Sequence, residues 1–164
     1  MKRTGRRRSR AAAAALVSAL VLCVAASADQ PGIRLTGGIG RISLNANRAS
    51  LGLGVAGPIR TPEIGGRLQR VRFGDVVATL SLEGAKPGPA DRVIAIETAA
   101  RRYRTFGGAG VGSTRARLVH AHPAVDCSSA TFCSLGSFRP GRVVTTFRLR
   151  AGRVVSVQVG YVLD

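Results

Sequence analysis

Apolar and polar residues alternate along two neighbouring stretches near the end of the chain. Between Arg142 and Arg150, Val143, Thr145, Phe147 and Leu149 fall on one side of an extended strand. Val144, Thr146, Arg148 and Arg150 fall on the other. Between Arg153 and Leu163, Val155, Val157, Val159 and Tyr161 share a side opposite Ser156 and Gln158. The two residues between the stretches, Ala151-Gly152, make a short hairpin turn. The same two-residue period marks Arg67–Phe73, Val76–Leu82 and Val93–Thr98 as strands, with Leu68, Arg70 and Arg72 opposite Gln69, Val71 and Phe73.

Each set of strands follows a helical signal. Asn45 or Asn47 can cap a helix through Arg48–Val55, which Gly52 and Gly54 weaken. Ser113 or Thr114 can cap a second helix running to about His122, where Pro123 stops it. The order recurs. Gly37-Gly38-Ile39-Gly40 matches Gly107-Gly108-Ala109-Gly110 at an offset of 70, and Arg48-Ala49-Ser50-Leu51 matches Arg115-Ala116-Arg117-Leu118 at an offset of 67. Pro58 and Pro123 close the two segments. The pattern predicts a single α+β domain over 37–164, after a linker at 29–36. Its antiparallel sheet carries short helices on one face, in two tandem helix–β-meander copies at about 37–100 and 107–164. Arg70, Arg72, Arg148 and Arg150 are then expected together on the solvent face of that sheet.

The run Gly110–Leu118, the Cys127–Cys133 loop after the helix and the terminal Arg142–Val159 hairpin carry a resemblance. A tandem of short, Pro-terminated helix and β-meander with a disulfide loop resembles the β-lactamase-inhibitor-protein type of fold. It is also similar to the small envelope-lipoprotein fold of the SmpA/OmlA group. The resemblance implies a non-catalytic protein that binds another protein through the exposed face of its sheet. The first copy departs from it by having no disulfide, and no lipoprotein cysteine is present.

Charge adds a destination. Lys2, Arg3, Arg6, Arg7, Arg8 and Arg10 precede an apolar run from Ala11 to Ala26, and Ala26-Ser27-Ala28 supplies the small residues of a cleavage site. These are the parts of a secretory signal peptide over 1–28. The run is short for a spanning helix and half Ala, which favours a cleaved signal with no membrane span after cleavage over the alternative of an uncleaved anchor. Arg7-Arg8 lacks the apolar pair of a twin-arginine signal, and Leu22 before Cys23 is too bulky for lipoprotein cleavage. The mature chain would hold 136 residues with a net charge of +11, of which 18 basic residues are Arg and one is Lys86. Richness in Arg, Ala and Gly also fits a GC-rich bacterial genome. Cleavage leaves Cys127 and Cys133 as an even pair in an oxidising compartment, and so a disulfide.

Candidate chemistry is sparse. His120 and His122, with Asp126 as a third ligand, make a weak metal set, because i and i+2 diverge on a helix and a histidine near a helix C-terminus suits the dipole. Ser113, His120 and Asp126 compose a nucleophile–base–acid set without a G-x-S-x-G elbow. The run from Gly107 to Thr114 mimics a phosphate loop but lacks the Lys after Gly112, and a tight turn into a helix explains it. Arg101, Arg102 and Arg104 cluster with Tyr103, yet aromatics for base stacking are few and no nucleic-acid motif is found. The resulting expectation is an exported, non-enzymatic protein without a cofactor, which binds a protein partner through the sheet face. A secreted hydrolase or metal-binding enzyme centred on His120 and His122 is one alternative. A component that binds an anionic envelope polymer is the other.

Overall fold

The computed structural model describes residues 32–52, 68–84 and 86–164. The signal segment, Cys23, Pro58 and the C-terminal part of the first expected helix (53–55) lie outside these residues.

The strands are β1 (Gly32–Arg34), β2 (Gly38–Ile39), β3 (Ile42–Ser43), β4 (Leu68–Phe73), β5 (Val76–Ser81), β6 (Arg92–Thr98), β7 (Arg104–Thr105), β8 (Phe132–Gly136), β9 (Val143–Arg150) and β10 (Arg153–Tyr161). One α-helix, α1 (Arg115–Ala121), stands between β7 and β8. The architecture is α+β, and its regular structure is mainly antiparallel strand. A six-stranded sheet runs in the order β4-β5-β6-β10-β9-β8. Its two flanks are three-stranded meanders that meet where β6 and β10 pair antiparallel, Val157 standing opposite Thr98 and Val159 opposite Ile96. A smaller sheet, β3-β2-β1-β7, contains one parallel pairing, between β1 and β7.

The period-two pattern sets the large sheet's inner face. Val71, Ala78, Ile96, Phe147, Val157 and Val159 are buried in one cluster. Removing each such side chain from water contributes about 1.5–3 kcal/mol. The cover over this face differs from the expected row of helices. It is built by the small sheet, through Ile33, Ile39 and Ile42, and by α1 through the fully buried Leu118. Thr145 ties the two layers by donating its hydroxyl to the Leu35 carbonyl. Two expectations are therefore corrected. The 29–36 linker contains β1, whose Ile33 enters the core. The helix expected from Arg48 is a single 3-10 turn, Ala49–Leu51, ended by Gly52 in the left-handed region at φ 66°.

One facing is corrected as well. Val155 was expected to share the inner side with Val157 and Val159, but a bulge between Val154 and Ser156 turns Val155 outward and puts Val154 in the core opposite Leu149. A second irregularity, between Thr79 and Leu80, leaves Ile94 out of register between Val93 and Ala95. The β9–β10 turn places Ala151 and Gly152 both at positive φ, 49° and 70°, which suits the right-handed twist of the strands it joins.

The residues matched at an offset of 67 occupy similar corners. Asn45 donates its amide to the Val93 carbonyl, Val93 donates to Ala46, and Arg48 donates to Asp91. Likewise Gly112 donates to Val154, Val154 to Ser113, and Arg115 to Gly152. Asn47 Oδ1 accepts from the Ser50 amide at 2.7 Å, and Thr114 Oγ1 accepts from the Arg117 amide at 3.2 Å.

Candidate functional site: the open face of the large sheet

The outer face of the six-stranded sheet carries the polar half of each alternation. Arg70 and Arg72 project from β4, Thr79 from β5, Glu97 from β6, Gln158 from β10, and Arg148 and Arg150 from β9. All four arginines are exposed. Three open depressions cross this face. The first, about 400 Å³, is lined by Arg70, Arg72, Asp75 and Glu97. The second, also about 400 Å³, is lined by Arg70, Thr79, Glu97, Arg148 and Gln158. The third, about 570 Å³, is lined by Phe132, Phe138, Arg148, Arg150, Val155 and Gln158. Arg70 and Glu97 belong to the first two, and Arg148 and Gln158 to the last two, so the depressions form one trough. The structure thus brings Arg70 and Arg148 to a common depression, with Arg72 and Arg150 toward its two ends.

Charge is uneven along the trough. On the β4–β6 side Arg70 Nη2 pairs with Glu97 Oε2 at 3.2 Å. Beside it Asp75 Oδ2 pairs with Arg102 at 2.9 Å. On the β8–β10 side Arg148 and Arg150 have no hydrogen-bond or ion-pair partner among the described residues, and none of the three strands contains an acid. An incoming carboxylate meets two free guanidinium groups there, each with planar donors suited to bidentate pairing. The apolar end of the same depression is an edge-to-face pair, Phe132 and Phe138, with ring centroids 6.3 Å apart.

The other sequence candidates fall elsewhere. His120 is exposed on the last turn of α1. His122 follows α1 as its C-cap, and its Nε2 lies 2.7 Å from Thr105 Oγ1, which also accepts from the Ala109 amide. Burial of this ring lowers its pKa below the usual histidine value. Asp126 Oδ1 accepts from the Ser128 amide at 2.9 Å, a local turn. These three side chains do not converge, and among the described residues no group of three His, Cys, Asp or Glu is placed to hold a metal ion. Ser113 Oγ accepts from the Gly110 amide at 3.1 Å rather than facing a histidine. Thr114 is the helix cap. Amides of the glycine-rich run at Gly110 and Gly112 are used by Ser113 and Val154, which fits the turn.

Cys127 and Cys133 form the disulfide, their Cα atoms 4.2 Å apart. Arg115, from the first turn of α1, donates to the carbonyls of Cys127 at 3.0 Å and Ser129 at 2.7 Å, fixing that loop beneath the helix. Tyr103 is buried, so the cluster of Arg101, Arg102 and Arg104 presents no free aromatic plane. Arg102 lies over the Tyr103 ring, 5.2 Å from its centroid.

Two features escaped the sequence reading. Surface aromatics were expected to be scarce, yet Phe106, Phe132 and Phe138, three of the five phenylalanines, are exposed. The signal for one of them was phenylalanine flanked by polar residues, in Ser137-Phe138-Arg139. The second feature is the buried pair of Arg48 and Asp91, 3.0 Å apart, whose partners are 43 residues apart in sequence. No family model, curated protein or solved structure matches the chain. No helix among the described residues is long and apolar enough to cross a membrane.

Proposed function

We propose that this is an exported, non-enzymatic protein that binds a protein partner through the outer face of its six-stranded sheet. One observation carries the reading: the inner face is covered by the small sheet and α1, while the outer face holds a trough with an exposed aromatic pair and two arginines that have no partner among the described residues. Arginine and aromatic side chains dominate interface energetics, and open clefts of this kind are where partners anchor. The disulfide supports export, because such bonds persist in oxidising compartments. The same reading takes the chain as two tandem copies, supported by the equivalent corner hydrogen bonds at an offset of 67 and by the two meanders. That arrangement is the basis of the likeness to the β-lactamase-inhibitor and SmpA/OmlA folds, and with it of a binding rather than a catalytic role.

The unpaired charge of Arg148 and Arg150 also favours the second reading, a surface for an anionic envelope polymer. One variant separates the two. Arg148→Ser with Arg150→Ser should leave folding within about 0.5 kcal/mol, as surface changes usually do. Capture of the partner from an envelope fraction should then fall at least tenfold, while a polymer would show a graded loss that salt alone reproduces. Full capture by this variant, with loss of an activity on replacing His120 and His122, would move the functional site to the end of α1.

A further inference from the structure

Resting on that reading, we infer that the partner presents an extended acidic segment with one apolar anchor, seated across the trough with its acidic end over β9. The anchor site is the third depression, where Phe132, Phe138 and Val155 are all exposed on a surface otherwise rich in arginine. The carboxylate sites are Arg148 and Arg150, which line that depression and have no partner among the described residues. Charge complementarity gives the segment its direction. Over β4–β6 the Glu97 carboxylate already occupies Arg70 and Asp75 is held by Arg102, leaving Arg72 as the one arginine of that depression without a partner among the described residues, so acids of the segment are drawn less strongly there than over β9. Over β8–β10 no acid among the described residues lies in the three strands to oppose them.

Length follows from sheet geometry. Strands lie roughly 4.8 Å apart, so crossing from β4 to β8 spans about 24 Å. An extended chain rising roughly 3.3 Å per residue covers that distance with about seven residues. A globular acidic surface would meet the rim of the trough, whereas a single extended segment can place its anchor between the phenylalanines and a carboxylate on each free arginine. Bidentate arginine–carboxylate pairing then adds orientation as well as attraction.

The test is a random twelve-residue peptide display library selected against the full, oxidised chain. Enriched peptides should carry two or more Asp or Glu beside an apolar residue. Their affinity should fall at least tenfold for Arg148→Ser with Arg150→Ser, and separately for Phe138→Ser. Shuffling a selected peptide should cost a similar factor, and inorganic polyphosphate should not displace it at moderate salt. Far-ultraviolet circular dichroism and a free-thiol assay check that each variant is folded, and Arg148→Lys provides a charge-retaining control with partial binding. Enrichment of neutral or basic peptides that still depend on Arg148 and Phe138 would overturn the acidic segment and spare the sheet-face reading. Peptides indifferent to both variants would overturn the two together. Absence of any enrichment, equal binding of shuffled peptides, or displacement by polyphosphate would overturn the segment by showing no sequence-specific recognition in the trough.

Discussion

Arg48 and Arg115 sit at matching points of two corners that share their backbone hydrogen bonds, and they do opposite things. In the first corner Arg48 turns inward, 2% exposed, onto the Asp91 carboxylate and the Gln69 side chain. Asp91, 1% exposed, also accepts from the amides of Glu83 and Gly88. In the second corner the residue that accepts from the Arg115 amide is Gly152, which offers no side chain. Arg115 therefore reaches the carbonyls of the disulfide loop. One backbone frame thus accepts two local solutions, and the choice rests on whether the neighbouring strand start supplies an acid. The sign of the sheet follows the same division, since from Arg101 onward Asp126 and Asp164 are the only acids in the sequence.

The largest expected effect breaks the first corner. Arg48→Ala leaves the buried Asp91 carboxyl without its cation, which costs about 3–5 kcal/mol. Arg115→Ala removes hydrogen bonds to two carbonyls near the surface, at about 1–3 kcal/mol. Urea unfolding of the two variants measures the difference, and equal losses would remove the distinction between the corners. Adding Asp91→Asn to the Arg48 variant should recover part of the loss.

A second change sharpens the comparison at the other corner. Cys127→Ser with Cys133→Ser opens a loop that closes over a short span, for a loss of about 2 kcal/mol in the loop-closure description. Trough binding should weaken less than stability, because β8 stays paired with β9 from Phe132 to Gly136. Denaturation and peptide binding on one preparation read both quantities.

The smallest effect concerns pH and the end of α1. His122 has a lowered pKa in the folded chain, from burial. Between the lowered folded value and 6.5 the unfolded chain therefore binds more protons, so this contribution is complete above pH 6.5 and is lost as pH falls from there through the folded value. Thermal midpoints at pH 7.5 and 5.5 should show a decline that shrinks in His122→Gln. A decline unchanged by the substitution would place its origin elsewhere.

The strands of the large sheet were legible because each is long enough for alternation to define two sides. The sides of β4 and β9 follow directly from Leu68–Phe73 and Val143–Arg150. β1, β2, β3 and β7 have two or three residues each, too few for a period, and depend on partners distant in sequence, as with Ile33 opposite Thr105. Val155 was misplaced because a bulge adds one residue without any mark in composition. The first helix shortened to a turn because Gly52 takes a left-handed conformation three residues after Ala49. Buried Arg48 was invisible for a different reason: arginine reads as a surface residue until Asp91 is brought beside it. The aromatic end of the trough escaped in the same way, since the contact between Phe132 and Phe138 requires the chain after β8 to fold back.

If recognition uses the open face of the large sheet, a bound partner must shield its arginines. Arginine modification with phenylglyoxal, read residue by residue by mass spectrometry on the free chain and on its complex with the captured partner, reads that shielding. Arg148 and Arg150 should become strongly protected and Arg70 partly so, while exposed Arg117 on α1 reacts as in the free chain. Protection of Arg117, with Arg148 and Arg150 reacting at their free rates, would contradict recognition by that face.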